Sequence, residues 1–240
     1  MSNKKILLII PAYNEEKCIL KTYQDIINYN KKNNTKFDIL VINDGSKDNT
    51  LKLLKENNIS HVNLIHNLGI GGAVQTGYKY AYENNYDIAV QFDGDGQHDI
   101  NYVKDIINPI IKKECDFVIG SRYIDKSISK FQSTKARQIG ISIISKVIKI
   151  ATGTKVLDTT SGFRACNKEI IKEFSNYYPS EYPEPITTTE LLRKNYKLKE
   201  IPVSMNERKS GKSSIHSWKN VYYMINVCLS IIIVGLRRYK

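Results

Sequence analysis

The sequence predicts an α/β fold, built on an open, mainly parallel sheet with helices on both faces. Over the first 120 residues, short apolar runs alternate with helix-length segments. The runs are almost continuously apolar, which is typical of strands that are buried on both faces of a parallel sheet. The β-α-β-α rhythm therefore indicates an α/β protein, and the short crossovers favour an open sheet.

Five strands are predicted in this part of the chain, each four to six residues long and rich in Ile, Val and Phe. They lie in the segments KKILLIIP, FDILVIND, HVNLIH, IAVQFDGD and CDFVIGS. Helices are predicted between them at about residues 15–32, 48–57, 71–84 and 99–113. Asp48 and Asp99 are credible N-caps, because an Asp side chain in that position accepts a hydrogen bond from a free backbone N–H.

The rhythm breaks after Ser121. A helix at about residues 134–152 leads into DTTSGFRA, which is followed by a short helix, the segment EYPEPITTTELLRKN and a strand in LKEIPVSM. A polar segment, NERKSGKSS, then precedes the C-terminal stretch HSWKNVYYMINVCLSIIIVGLRRYK.

Composition excludes several classes of protein. The chain is 41% apolar and 25% charged over 240 residues, so it is neither disordered nor fibrous. Its four cysteines lie far apart without a CxxC or Cys/His cluster, which argues against a disulfide scaffold or a structural zinc site and for a reducing compartment. The N-terminal apolar run is too short for a signal-peptide core, so a cytoplasmic location is expected.

The net charge of +12 is concentrated near the C-terminus, where residues 189–240 hold 11 Lys or Arg and three Asp or Glu. The apolar stretch 221–236 within this region has 16 residues, fewer than the roughly 20 that span a bilayer. Basic residues at both ends and aromatic residues at its start favour a basic amphipathic helix, residues 216–240, lying in a membrane interface. The alternatives are a helix buried in the fold, a helix that pairs in a homo-oligomer, and a short span.

Polar segments follow four of the predicted strands. They are PAYNE, ending at Glu15, DGS, starting at Asp44, NLG, ending at Gly69, and DGDGQ, starting at Asp93. Ligands of open α/β sheets gather at the carboxyl ends of the strands, so these segments are expected to form one site.

The segment DGDGQHD carries the clearest chemical signal. Two carboxylates separated by a glycine at the end of a buried strand can both reach one hard cation, Mg²⁺ or Mn²⁺, which keeps positions open for phosphate oxygens. The alternative is an Asp/Gly turn followed by a helix that Asp99 caps. An EF-hand is excluded because the twelfth-position Glu is missing, and a nicotinamide site is disfavoured because NLGIGGAV has Val74 where the third glycine of GxGxxG belongs.

Taken in order, the segments PAYNEE, NDGS, NLGIGGAVQTGY, DGDGQHD, GSRY, DTTSGFRA and ERKSGKSS resemble the family-2 glycosyltransferases of GT-A fold. The resemblance covers about residues 4–215, and we take residues 1–215 as the catalytic domain. It is greatest to the branch that includes dolichol-phosphate mannosyltransferase and bacterial polyprenyl-phosphate glycosyltransferases.

The resemblance implies a role for each matching position. The residues implied to bind the nucleotide-sugar are Pro11, Tyr13, Glu15, Asp44, Gly69, Asp93 and Ser213, with Asp93, Asp95 and Gln97 holding the cation. Arg208 and Ser213 would close over the diphosphate, and Arg122 and Arg137 would contact the acceptor phosphate. Asp95, Arg208 and Glu184 are the implied catalytic residues.

The implied activity is inverting, metal-dependent transfer of a hexose from a nucleotide-diphospho-sugar, with UDP-sugars favoured, to a polyprenyl-phosphate. The enzyme would be attached peripherally to the inner face of the cell membrane. Alternatively, the acceptor is a hydroxyl of a lipid-linked or cell-wall glycan and Glu184 is the base, although the sequence PITTTELL lacks a further acidic residue expected there. Outside enzymes, the alternative is a basic membrane- or nucleic-acid-binding module, but no nucleic-acid-binding motif is visible and no nucleic-acid partner is expected.

Overall fold

The computed structural model describes residues 4–125, 127, 135–206 and 217–239. Within them, seven strands form one sheet in the order β3-β2-β1-β4-β6-β5-β7. The strands are β1 (Ile6–Ala12), β2 (Phe37–Asp44), β3 (His61–Leu64), β4 (Ile88–Gln91), β5 (Phe117–Ser121), β6 (Arg164–Asn167) and β7 (Leu198–Pro202). All neighbouring pairs are parallel except the two that involve β6, which runs antiparallel to β4 and β5. The predicted open, mainly parallel α/β sheet is thus confirmed.

Eight α-helices flank the sheet among the described residues. They are α1 (Ile19–Asn33), α2 (Thr50–Glu56), α3 (Gly69–Glu83), α4 (Val103–Ile111), α5 (Lys135–Thr152), α6 (Lys168–Asn176), α7 (Pro183–Arg193) and α8 (Ser217–Leu236). A single turn of 3-10 helix, Ile100–Tyr102, precedes α4, and Asp99 caps it as predicted by accepting from the N–H of Asn101. Asp48 stands one residue before the N-cap of α2 and accepts from the N–H of Thr50.

The sheet is buried on both faces, because alternate residues of its strands enter two separate cores. Ile6, Leu8 and Ile10 of β1 face the core beneath α1 and α4. Leu7 and Ile9 of the same strand face the core beneath α3 and α6. This two-sided burial explains why the strand sequences are continuously apolar.

The C-terminal helix α8 packs against α5 and α7. Its buried residues are Val227, Ile231 and Val234. Its opposite face exposes Tyr222, Ile225, Leu229, Ile232, Ile233 and Leu236. Over the residues that the structure describes, no helix has the length and apolar character needed to cross a bilayer.

Candidate active site

The loops after β1 and β2 are tied together at the carboxyl edge of the sheet. Asn14 donates its N–H to Ser46 Oγ at 3.0 Å, and its own side-chain oxygen accepts from the N–H of Lys47 at 2.8 Å. Asp44, which is buried, accepts from the N–H of Leu68 at 2.7 Å and so fixes the loop after β3. Three of the four polar segments therefore lie side by side, as the topology predicted.

The residues implied to bind the nucleotide are distributed around this edge. Pro11 is the buried penultimate residue of β1, Tyr13 is 43% exposed, and Glu15 is half-buried. Gly69 starts α3 with a φ of +77°, a conformation that favours glycine. A groove of about 850 Å³ lies between α1 and the loop after β4, where Lys17, Asp95 and His98 are among its lining residues. The lining of that groove does not include Pro11, Tyr13, Glu15 or Gly69. The groove therefore adjoins the implied nucleotide site without coinciding with it.

The loop after β4 brings the implied cation ligands together. Asp95 is buried and accepts from the N–H of Gln97 at 2.9 Å, while Asp93 and Gln97 are half-buried. Asp93 Oδ1 is shielded from solvent and accepts no hydrogen bond from any residue that the structure describes. A Cβ on Gly162 would come within 3.1 Å of the same carboxylate, so only glycine leaves this space free.

An unpaired buried carboxylate oxygen is costly unless a cation or donor satisfies it. Asp93 and Asp95 supply the hard oxygen ligands that Mg²⁺ and Mn²⁺ prefer. Within the described ranges, no three Asp, Glu, His or Cys side chains are grouped as a metal site. The fit to a cation therefore rests on the Asp93 and Asp95 carboxylates and on the unsatisfied Oδ1.

His98 lies behind this loop and is buried. Burial lowers the pKa of its imidazole, although the neighbouring carboxylates of Asp93 and Asp95 act in the opposite direction. Its Nδ1 accepts from the N–H of Asp93 at 2.9 Å, and its Nε2 lies 3.4 Å from Asp93 Oδ2. From its place in DGDGQHD, His98 is expected to lie beside the cation ligands or at the surface rather than to be a ligand itself, and the structure buries it beside Asp93.

Arg122, implied to contact the acceptor phosphate, is buried in a forked ion pair with Asp158. Its Nε and one Nη lie 2.7 and 2.8 Å from the two carboxylate oxygens, and its backbone N–H donates to the same group at 3.0 Å. Glu200 of β7 in turn accepts from the N–H groups of Leu157 and Asp158, both at 2.8 Å. Asp158 is the first residue of the segment DTTSGFRA. The sequence predicted neither its ion pair with Arg122 nor the hydrogen bonds that Glu200 accepts.

Arg137 lies in the first turn of α5 and keeps much of its surface exposed. Neighbouring protein still removes enough water from its guanidinium to lower the pKa, and the charge of Arg122 lowers it further. The two basic residues implied to contact the acceptor phosphate are therefore within electrostatic reach of each other. Adjacent like charges of this kind are stabilised by a bound anion.

Glu184 lies in the first turn of α7, and burial raises the pKa of its carboxyl group while the charge of Arg164 acts to lower it. Arg164 is 1% exposed, and its Nη1 donates to the carbonyl of Glu184 at 2.9 Å. Its Nη2 donates to no residue in the described part of the chain. Arg164 was not singled out from the sequence, because an arginine in a short apolar strand gives no signal of its full burial.

The three threonines that replace the expected acidic residue have a structural role. Thr187, Thr188 and Thr189 each donate their hydroxyl to the carbonyl four residues earlier, at Pro183, Glu184 and Pro185. These bonds reinforce the first turn of α7, where the two prolines lack N–H donors.

Two implied residues, Arg208 and Ser213, lie outside the described residues. Asn206, the last described residue before them, donates its N–H to the carbonyl of Gln97 at 2.8 Å. The chain therefore passes beside the loop after β4 immediately before that segment.

Known proteins share both the sequence pattern and the fold. Residues 7–175 match the family described as Glycosyl transferase family 2. A UDP-N-acetylglucosamine–dolichyl-phosphate N-acetylglucosaminyltransferase of Methanococcus voltae is 36% identical over 85% of this chain and 86% of its own length. An undecaprenyl-phosphate mannosyltransferase of Micrococcus luteus is 24% identical over 88% of this chain and 87% of its own.

Among solved structures, glucosyl-3-phosphoglycerate synthase of Mycobacterium tuberculosis, in complex with Mn²⁺, UDP and glucosyl-3-phosphoglycerate, superposes with a TM-score of 0.69 at 15% identity. The alignment covers 100% of this chain and 82% of the synthase. At that identity the likeness shows the fold, which is the GT-A fold expected from the sequence. The match over residues 7–175, with the 36% identity to the Methanococcus voltae relative, establishes that the chain is a glycosyltransferase and belongs to glycosyl transferase family 2.

Proposed function

We propose that this enzyme transfers a hexose or N-acetylhexosamine from a nucleotide-diphospho-sugar to a polyprenyl-phosphate, with inversion at the anomeric carbon. The observation that carries the proposal is the loop after β4. There Asp93 and Asp95 lie in one loop at the carboxyl edge of the sheet, and Oδ1 of Asp93 is buried without a hydrogen-bond partner among the described residues. The proposal names Mg²⁺ or Mn²⁺ as the cation, held by Asp93, Asp95 and Gln97.

The donor is proposed to be a UDP-sugar. Two findings on other proteins support this choice: the relative of Methanococcus voltae is named for UDP-N-acetylglucosamine, and the mycobacterial synthase was solved with UDP and Mn²⁺. When bound, the cation would act as a Lewis acid for the departing diphosphate. Pro11, Tyr13, Glu15, Asp44 and Gly69 are proposed to hold the base and ribose, and Arg208 and Ser213 the diphosphate.

The acceptor is proposed to be a lipid phosphate held by Arg122 and Arg137. Its support is the charge of Arg122, which helps to lower the pKa of Arg137, together with the dolichyl-phosphate and undecaprenyl-phosphate in the names of the relatives. Asp158 holds two of the nitrogens of Arg122 and thereby fixes the direction of its guanidinium. A phosphate oxygen is already anionic, so attack on the anomeric carbon needs no general base, and a single in-line displacement inverts that centre.

A second acceptor class is a sugar hydroxyl, with Glu184 as general base. The observation that favours it is the raised pKa of Glu184, because a carboxylate with a raised pKa is a stronger base near neutral pH. The two classes differ in one measurable respect. A hydroxyl acceptor requires Glu184 in its ionised form, whereas a phosphate acceptor does not.

The proposed site of action is the cytoplasmic face of the cell membrane. Its support is the exposed apolar face of α8, together with Ile139, Ile143 and Ile150, which are exposed on the adjoining helix α5. The same two helices and the residues after α8 carry positive charges that would attract anionic lipids: Lys146, Lys149, Arg237 and Arg238. A homo-oligomer contact through α8 is the competing use of the same face.

The test is a transfer assay with radiolabelled UDP-N-acetylglucosamine and UDP-glucose, each offered a short polyprenyl-phosphate with Mn²⁺. The matched control acceptor is the corresponding polyprenol, which has a hydroxyl in place of the phosphate. We expect sugar transfer to the polyprenyl-phosphate but not to the polyprenol. We expect that transfer to be lost when a chelator is added and in Asp95→Asn. Transfer to the polyprenol, or transfer that persists without a divalent cation, would contradict the proposal.

A further inference from the structure

His98 is held rigidly beside Asp93 by two aromatic rings. Its side chain is 2% exposed, stacks on Phe163 with 4.6 Å between ring centroids, and meets Phe92 edge-on at 5.5 Å. Such packing leaves the imidazole a single orientation. A buried imidazole with this little freedom is suited to holding a neighbour in place.

The hydrogen-bond geometry fixes which ring nitrogen carries the proton. The backbone N–H of Asp93 donates to Nδ1 at 2.9 Å, and a backbone N–H can only donate. Nδ1 is therefore unprotonated, and the proton of the neutral ring lies on Nε2. That nitrogen is 3.4 Å from Oδ2 of the same aspartate, so His98 approaches Asp93 at both its backbone and its carboxylate.

We infer that His98 is a positioning residue that orients Asp93 for the divalent cation. The inference rests on the proposed function, because that proposal supplies the cation. Gly162, which faces the same carboxylate, has no side chain with which to orient it. Partners that orient a ligating side chain usually matter for the bound metal almost as much as the ligand itself.

The test is Mn²⁺ affinity, measured by electron paramagnetic resonance of free Mn²⁺ in the presence of UDP. His98→Leu keeps an apolar side chain in the pocket and removes both polar contacts, and we expect Mn²⁺ affinity to fall about 10–100-fold. His98→Asn retains an acceptor near the position of Nδ1, and His98→Gln retains a donor near the position of Nε2. Each is expected to recover part of the loss.

The matched control is His61→Leu, because His61 bonds a backbone carbonyl, that of Ile59, at 2.7 Å at the start of edge strand β3. Mn²⁺ affinity in that variant should equal that of the wild type. Thermal melts of every variant establish that it is folded. If His98→Leu does not fold, His98→Asn and His98→Gln carry the test, and each should bind Mn²⁺ several-fold more weakly than the wild type.

Two results would overturn the inference about His98 and leave the proposed function standing. One is wild-type Mn²⁺ affinity in His98→Leu, or in both amide variants if that protein does not fold. The other is an equal loss in all three variants, which would trace the effect to packing rather than to the two polar contacts. A wild-type protein that binds no Mn²⁺ with or without UDP would instead overturn the cation assignment of the proposed function, and this inference with it.

Discussion

The buried pair of Arg122 and Asp158 gives the sharpest prediction of stability. Asp158 is fully buried and receives three hydrogen bonds from Arg122, while Arg122 is 6% exposed. Removing the charge of one partner leaves the other charge buried and uncompensated, which costs about 3–5 kcal/mol. Asp158→Asn should therefore lower the free energy of unfolding by that amount, a fall in melting temperature of roughly 6–20 °C for a domain of this size.

The assay is urea denaturation followed by far-UV circular dichroism at pH 7, with the free energy of unfolding extrapolated to water. The control is Asp25→Asn, which breaks an exposed pair with Lys21 and should change stability by less than about 0.5 kcal/mol. The double variant R122M/D158L replaces both charges with apolar groups and should recover much of the loss. A loss below about 1 kcal/mol in Asp158→Asn would refute the reasoning.

Three further predictions concern pH, close packing and lipid binding. Burial alone would raise the pKa of Asp48, but hydrogen bonds from Thr50 and from the N–H of Glu16 lower it below 3.8. Its contribution to stability is present above that pH and is lost as the pH falls through the folded-state pKa. Asp48→Asn should thus be less stable than the wild type at pH 7 but not near pH 2. A difference in the free energy of unfolding between the two proteins that does not change with pH in urea titrations would contradict this. Gly71→Ala should cost about 1–3 kcal/mol, because a Cβ there would overlap the carbonyl oxygen of Pro179. The helical control Gly140→Ala meets only the flexible side chain of Met224 and should be neutral or stabilising, so equal stabilities on urea denaturation would refute the packing argument. L229S/I233S should weaken co-sedimentation with phosphatidylglycerol vesicles at least tenfold, because two exposed apolar side chains of α8 are lost. Ile65→Ser, at an 86% exposed position outside α5 and α8, serves as its control, and an equal effect in both proteins would exclude α8 as the contact.

The parallel part of the fold could be predicted because it depends on local patterns. Strands β1, β2, β4 and β5 are apolar on both faces and were located from that feature, whereas the edge strand β3 is only partly buried and was located from its shorter apolar run. The start of α1 was placed four residues too early, since the carbonyl of Glu15 first closes a turn by accepting from the N–H groups of Cys18 and Ile19. Strand β6 was missed, because it is short, contains a buried arginine and enters the sheet antiparallel between β4 and β5.

The candidate site was predictable only where neighbours in sequence are neighbours in space. Asp93 and Asp95 lie in one loop, so their spacing already indicated a common cation, and Gln97 was added only by the family resemblance. Asp158 is 36 residues from Arg122, and Glu200 is a further 42 residues from Asp158. Such partnerships follow from the order of strands in the sheet, which composition and periodicity do not specify.

The central claim is that Asp93 and Asp95 form a cation-dependent nucleotide-sugar site. The most direct measurement is the melting temperature with UDP, GDP and dTDP, each with and without Mn²⁺, in the wild type and in Asp95→Asn. A nucleotide at about 100 times its dissociation constant should add roughly 2.7 kcal/mol, a rise of very roughly 5–10 °C. We predict that rise for UDP with Mn²⁺ in the wild type only. The same rise in Asp95→Asn, or a rise that does not depend on Mn²⁺, would contradict the claim.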